Sequence, residues 1–259
     1  MIESLYIAES GMNSQQQLID VISNNIANAS TPGFKKTQLN FVDLVYQSSA
    51  ENLIDNGGMA GNVSNGAGVQ IATNSKDFSV GDLKQTGNPF DIAIQGEGFI
   101  QVTLADGNDA FTRAGRLRLD TDGYLATTEG HRLSSNIQLP PDASNLTIDQ
   151  SGSVTVRIGE DGAVSSIGNI ELVRFTNTDG LAAIGNNLYE QTNQAGDRIY
   201  GEPGSFGLGN ILQGITEVSN VSMTEEMVNL MLAQRGYQLN ARIIQVSDQL
   251  LDTINNLRR

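Results

Sequence analysis

The chain has 259 residues, of which 5% are aromatic and none is Trp or Cys, and its formal net charge is −14. That length supports one or two domains with a real core. The missing thiols exclude disulfides and thiolate metal sites, and the acidic balance excludes nucleic acid, whose phosphates need a basic surface. The charge is uneven. Residues 1–36 (two bases, three acids) and 217–259 (four bases, five acids) are each close to neutral, so the acidity sits in the middle of the chain. Like charge there keeps a domain soluble, while nearly neutral ends can pack.

Residues 3–29 read as a helix. Leu5, Ala8, Met12, Gln15, Ile19, Ile22, Ile26 and Ala29 recur at steps of three and four, a heptad pattern of the coiled-coil kind. Thr31-Pro32-Gly33 should end it, because Pro biases the preceding residue away from helix and Gly permits a turn. Met1-Ile2-Glu3-Ser4 lacks the basic start and the following apolar run of a signal peptide. No stretch approaches the roughly 18 apolar residues of a membrane span, so no direct membrane insertion is expected. Phe41–Tyr46 reads as a short helix or an extended strip, and the Asn- and Gly-rich stretch near 50–68 as a flexible loop.

From about residue 69 the pattern becomes two-periodic. Val69–Thr73, Asp91–Ile94, Phe99–Leu104, Ala110–Arg113, Leu117–Asp120, Tyr124–Thr127, Asn169–Phe175 and Leu188–Gln191 are candidate strands, many separated by Asp-Gly turns at Asp106-Gly107, Asp122-Gly123 and Asp161-Gly162. Short strands at that spacing describe a mainly antiparallel β domain. Gly201–Gly209 leads into a second helix starting near Ser222 or Thr224, where Ser222 and Glu225 have the order of a capping box. Met223, Met227, Leu230, Gln234, Tyr237, Ala241, Ile244, Asp248 and Leu251 repeat the heptad step. A second apolar row, Leu239, Ile243, Val246, Leu250 and Leu257, lies beside it. A helix with two apolar faces must bury both, which implies several neighbours.

The expected architecture is α+β. Long N- and C-terminal helices (1–34 and 218–259) form a coiled-coil-like polymerisation layer. Residues 35–85 and 203–217 are extended connections, and 86–202 are the central, mainly antiparallel β domain. The expected polymerisation interface comprises Leu5, Ala8, Met12, Ile19, Ile22 and Ile26 at one end, with Met223, Met227, Leu230, Tyr237, Ala241, Ile244 and Leu251 at the other. Because an isolated helix of this kind is marginal in water, both ends are expected to order on assembly.

Chemical constellations are scarce, and no catalytic, cofactor or metal site is expected. His131, the single histidine, follows Glu129-Gly130 in a turn, with Ser134 and Ser135 nearby; a nucleophilic pair would need geometry that spacing does not supply. Asp120-Thr121-Asp122-Gly123 lacks the Gly at position six and the Glu at position twelve of a calcium loop. Gly96-Glu97-Gly98 precedes a strand rather than a helix, which suits a tight turn or bulge and not a dinucleotide site. Asp91, Glu97 and Asp120 could pair as glycosidase carboxylates, but acidic turn residues are the simpler account in so acidic a chain.

Four segments carry a family resemblance. Ala27-Asn28-Ala29-Ser30-Thr31-Pro32-Gly33-Phe34-Lys35 resembles the N-terminal signature of the bacterial flagellar rod and hook axial proteins. Phe90-Asp91-Ile92-Ala93-Ile94-Gln95-Gly96-Glu97-Gly98-Phe99 and Thr112-Arg113-Ala114-Gly115 resemble its two central motifs. Ser219-Asn220-Val221 and Gln234-Arg235-Gly236-Tyr237-Gln238-Leu239-Asn240 are similar to its C-terminal block. The order is right and the match spans nearly the whole chain. Asn28, Thr31, Gly33, Phe34, Gly96, Gly98, Phe99, Ser219, Asn220, Val221 and Arg235 are the motif positions carried over. Tyr6 stands where the family commonly has Trp, and Gly236 where Ala is usual, a change worth up to about 1 kcal/mol of helix propensity.

The opening residues, Asp43-Leu44-Val45-Tyr46-Gln47 and the modest length are most like distal-rod members. The resemblance implies a structural subunit of the flagellar basal body that polymerises with itself into a tubular drive shaft lining an export channel. It also implies proximal-rod and hook subunits, P-ring and L-ring proteins and the flagellar type III export apparatus as partners, in a rod spanning the periplasm. A hook or proximal-rod subunit is the alternative within the family. A secreted hydrolase or adhesin with coiled-coil ends is the alternative from another class.

Overall fold

A computed structural model describes residues 2–46, 65–159 and 163–257. The loop expected near 50–68 lies outside them up to residue 64, as do the turn residues Glu160-Asp161-Gly162 and the terminal Arg258 and Arg259. The chain is α+β with two terminal helices and divides into two compact units. One comprises residues 1–27, 37–75 and 222–259, the other residues 28–36 and 76–221.

In the first unit, α1 spans Ile2–Ala27 and α2 spans Met223–Leu257, with a two-stranded ribbon, β1 Thr37–Tyr46 and β2 Asn65–Lys76, between them in the chain. α1 ends two residues before the expected boundary, and the segment around Phe41 is a strand, as its β-branched and aromatic residues favour. The helices pair antiparallel. Gly11 approaches Asn240, Gln15 approaches Gly236, and Asn25 Nδ2 donates to Glu226 Oε2 at 3.4 Å, so partners on α2 descend as α1 ascends. The buried or half-buried rows are Ala8, Gly11, Gln15, Leu18, Ile22 and Asn25 on α1, with Glu226, Leu230, Ala233, Gly236, Asn240, Ile244 and Ser247 on α2. Both keep the three-and-four step but are largely small or polar.

The second unit is antiparallel throughout its described strand pairs. Its largest sheet runs in the order Leu181–Gly185, Leu188–Gln191, Asp109–Thr112, Phe99–Thr103, Arg132–Leu133, Leu125–Thr127, Leu117–Leu119, with Leu172–Phe175 also pairing Phe99–Thr103 and carrying Arg198–Gly201 at its edge. Ala143–Ile148, Ser153–Ile158 and Ala163–Asn169 form a three-stranded sheet. These three strands are rich in Ser, Thr and Asn, and the first two have no counterpart in the sequence expectation. Strand alternation sends neighbours to opposite faces. Ile100 and Leu172 thus join an aliphatic core with Ile94, Val102, Leu133 and Val156, while Phe99 and Val173 join an aromatic one with Phe111, Phe175 and Tyr189. In the aromatic core the rings meet edge to face, Phe111 and Phe175 at 4.8 Å between centroids, the geometry the ring quadrupole favours.

Candidate functional site

Two features stand out, one in each unit. In the β unit the motif segments converge on a buried charge cluster. Lys35 Nζ lies 2.5 Å from Glu217 Oε1 and Arg113 Nε 3.2 Å from Glu217 Oε2, with the three side chains 0–2% exposed. Unpaired, such charges would be prohibitive to bury, and backbone groups supplement the ion pairs. Arg113 donates to the carbonyls of Gly96 (2.9 Å), Gly98 (3.1 Å) and Ile94 (3.4 Å). Lys35 also donates to Ser79 O, and the Gly81 N–H donates to Glu217 Oε1 at 2.9 Å. Burial pushes the Lys35 ammonium below its ordinary value, opposed by the adjacent Glu217 carboxylate. The Tyr189 hydroxyl is pushed up to about 12, again chiefly by burial, with Arg113 opposing and Glu217 reinforcing.

Several of the motif residues contact this cluster or lie beside it. Gly33 N–H donates to Glu217 O at 2.9 Å, and Phe34 is buried beneath the Lys76 ammonium. Gly96 and Gly98 adopt φ of 126° and 133°, which an L side chain rarely tolerates, and so expose the carbonyls that Arg113 reads. Arg113 lies 6.0 Å from the Phe99 ring centre. Asn220 accepts from Lys36 N–H and donates to Asp77 O (2.9 Å), and Ser219 Oγ accepts from Val221 N–H. Thr31 donates its hydroxyl to Asn28 Oδ1 at 3.2 Å. Sequence reasoning quoted Lys35 and Arg113 within motifs but did not single them out, and it passed over Glu217. The available signal was a charged residue in each of two motif segments, Lys35 and Arg113, and Glu217 two residues before Ser219.

In the helical unit the expected interface residues divide. Ala8 and Ile22 are buried, and Leu5, Met12, Ile19, Ile26, Leu230, Ala241 and Ile244 are half-buried. Met223, Met227, Tyr237 and Leu251 are exposed, as are Leu239, Ile243, Val246 and Leu250 of the second row and the motif residue Arg235. Gly236 is a place of close approach: a Cβ there would sit 3.1 Å from the Gln15 side chain. Asn25 ties three elements of this unit, exchanging two 2.9 Å hydrogen bonds with the Thr37 backbone besides its contact with Glu226.

The weighed chemical candidates are occupied structurally. Asp120 pairs with Arg132, Glu97 with Arg174 at 2.9 Å, and Asp91 accepts from Asn88 at 3.0 Å. His131 sits in the turn between two strands, its carbonyl accepting from Thr127 N–H. A groove of about 420 Å³ takes in Gln101, Ser134, Ser135, Asn169, Glu171 and Tyr200, and His131 is not part of its lining. Among the described residues no group of three or more His, Asp or Glu is placed to hold a metal ion.

Comparison with known proteins places these features. Residues 5–35 match the family described as flagella basal body rod protein, residues 93–156 the flagellar hook protein FlgE/F/G D1 domain, and residues 212–257 the flagellar basal body rod FlgEFG protein C-terminal region. Over 268 residues, covering 100% of both chains, the sequence is 40% identical to the flagellar basal-body rod protein FlgG of Borreliella burgdorferi. It is 38% identical, again over 100% of both, to FlgG of Bacillus subtilis, and 30% identical to the flagellar hook-basal body complex protein FlhP of the same organism. A crystal structure of the Helicobacter pylori flagellar hook protein FlgE2 aligns at a TM-score of 0.23 and 16% identity over 68% of this chain and 42% of that one. The family matches and the full-length similarity agree: the chain belongs to the FlgG group of flagellar basal-body rod proteins.

Proposed function

We infer that this chain is a structural subunit of the distal rod, which assembles with its own copies into a helical tube that transmits torque and surrounds an export channel. The observation that carries the reading is the full-length similarity to basal-body rod proteins in a chain whose helices leave their large apolar side chains in water. Leu232 and Leu239 are 60% and 63% exposed, and a monomer rarely leaves such a contiguous apolar surface uncovered. Packed against neighbouring copies, α1 and α2 would form a coiled-coil-like inner layer, with Leu5, Met12, Ile19, Met223, Met227 and Leu251 among its contacts. The β unit would form the outer layer. A heterologous contact that does not close into a ring generates such a filament.

Proximal-rod and hook subunits at the two ends, P-ring and L-ring proteins around the shaft, and delivery by the flagellar type III apparatus to a periplasm-spanning position complete the proposal. The role is structural, not catalytic. Electron microscopy of concentrated protein tests it. Tubular polymers from the full chain that vanish when residues 1–30 or 223–259 are removed are expected. Monodisperse particles at all concentrations, or polymers from both truncated forms, would contradict it.

A further inference from the structure

α2 presents three faces. Met227, Ala233 and Leu239 follow one another at steps of six, which places them about 120° apart around the helix. Ala233 is buried against α1, in a buried or half-buried row with Glu226, Leu230, Asn240 and Ile244. Leu239 belongs to an exposed aliphatic ridge with Val228, Leu232, Ile243, Val246 and Leu250, and Met227 to an exposed flank with Met223. The ridge and the Met flank therefore lie on opposite sides of the plane that contains the two helices.

α1 is two-sided as well. On one side it carries the β ribbon: Ser14 Oγ donates to Val69 O at 3.5 Å, and Val69 N–H donates to Ser10 Oγ at 3.4 Å. Met12 lies about 160° around α1 from each of these serines. Leu5, Ile19 and Ile26 share its flank at steps of seven, and all four are half-buried. Because both helices are right-handed and α2 runs antiparallel, this flank and the Met flank of α2 turn to the same side. Together they form an apolar groove. The ridge faces the other way, so no copy can fill its own groove.

Groove and ridge match each other. From Leu5 to Ile26 the groove is about 32 Å long, and from Val228 to Leu250 the ridge is about 33 Å. Neither of these rows holds a charged residue. Arg235 and Arg242 lie on the side of α2 turned away from α1, between the two faces. They keep their water when both faces are covered, so no carboxylate has to meet them.

We propose that the ridge of one copy enters the groove of a second copy, whose own ridge enters the groove of a third. The contact joins two different surfaces and uses each once per copy, so it propagates from copy to copy. Three helices then share one apolar seam, with ridge residues as knobs in the space between α1 and α2 of the neighbour. Removal of both rows from water drives it. This rests on the self-assembly reading above and assigns it the two surfaces that meet.

Blocking one surface at a time tests it. Leu232→Glu places a carboxylate in the ridge and Met227→Glu places one in the groove, at positions that are 60% and 49% exposed in the single copy. Each should raise the concentration needed for polymerisation by about thirtyfold or more. A ridge-blocked copy keeps its groove and a groove-blocked copy keeps its ridge. Their equimolar mixture should therefore form pairs but no polymer, while either variant alone stays monomeric. Because the chain has no cysteine, the contact can also be trapped. With ridge and groove flush, Leu239 at the middle of the ridge meets the middle of the groove, between Met12 and Ile19, whichever way the copies point. Leu239→Cys combined with Met12→Cys or with Ile19→Cys should give disulfide ladders beyond the dimer in at least one of the two polymers. Within one copy these sites face opposite sides of the helix pair, beyond the roughly 7 Å between Cα atoms that a disulfide spans. The cysteine variants keep the test decisive where a glutamate disturbs the helices.

A blocked variant that polymerises like the parent, a mixture that forms no pairs or that polymerises, or polymers without ladders from both cysteine combinations would overturn the contact. The parent chain and a form lacking residues 223–259 are run alongside. Polymers that survive the truncation, or a parent chain that never polymerises, defeat the assembly reading and the contact with it. A normal parent polymer with indifferent blocked variants defeats the contact alone.

Discussion

The two units solve the burial problem in opposite ways. The β unit buries Lys35, Arg113 and Glu217, pairs them with one another and with backbone groups, and closes two hydrophobic cores. The helical unit places Gly11, Gln15, Gly236, Asn240 and Ser247 in its interior and leaves Leu232, Leu239, Ile243 and Leu250 outside. A buried oxygen without a hydrogen-bond partner among the described residues occurs in both units, Gln15 Oε1 in the helical one and Asn169 Oδ1 and Thr216 Oγ1 in the β one, each a cost of roughly 1–3 kcal/mol. The β unit closes two cores within one copy, with Phe206 and Val164 exposed outside them. The helical unit pairs its helices largely through small and polar residues and leaves a row of large apolar side chains exposed along α2. On the self-assembly reading proposed above, the apolar row along α2 is the surface that assembly covers.

The contrast breaks most sharply at Glu217. Glu217→Ala strands Lys35 and Arg113 without their carboxylate, and should cost the β unit about 3–5 kcal/mol, measured by denaturant unfolding. Helical circular dichroism from α1 and α2 serves as the internal comparison. A loss below about 1 kcal/mol would mean that the cluster is not what closes this unit.

A pH series comes next. The Tyr189 hydroxyl, raised to about 12, binds its proton more tightly folded than unfolded. Its contribution is fully present below pH 10 and is lost as pH rises from 10 towards 12, by roughly 2–3 kcal/mol in total. Tyr189→Phe should flatten that part of the stability profile; an unchanged slope would show that another group titrates there. A substitution of similar size tests packing alone. A Cβ on Gly115 would sit 1.6 Å from Ile92 O, so Gly115→Ala should destabilise the β unit by about 1–3 kcal/mol through backbone displacement.

The smallest effect belongs to the helical unit. Gly236→Ala meets only the movable end of Gln15 and gains up to about 1 kcal/mol of helix propensity. Helix content should rise slightly, with the melting of the β unit unchanged.

Much of this was legible in the residues, for reasons that also explain what was not. Turn chemistry was readable because Gly107 and Gly123 take the positive φ that their Asp-Gly turns demand. The strands at Ile92–Gln95, Phe99–Thr103 and Leu188–Gln191 were readable because buried apolar residues dominate them. Ala143–Ile148 escaped because a register shift between Ser144 and Thr147 breaks its alternation, whereas Ser153–Ile158 alternates polar and apolar residues strictly and carried a readable strand signal. The helices were legible as helices, and their period as three and four. The phase facing the partner helix was not, since hydropathy looks for Leu and Met where this pair has Ala233, Gly236 and Asn240. The charge cluster was hidden for a related reason: Lys35, Arg113 and Glu217 are 182 residues apart at the extremes, and only the fold brings them together.

Hydrogen–deuterium exchange, resolved by segment and compared between dilute protein and polymer, tests the division of labour most directly. The account predicts that strands such as Phe99–Thr103 and Leu172–Phe175 are strongly protected in both states. Ile2–Ala27 and Met223–Leu257 should be weakly protected when dilute and slow by orders of magnitude on polymerisation. Helices as protected in dilute protein as in the polymer would contradict it.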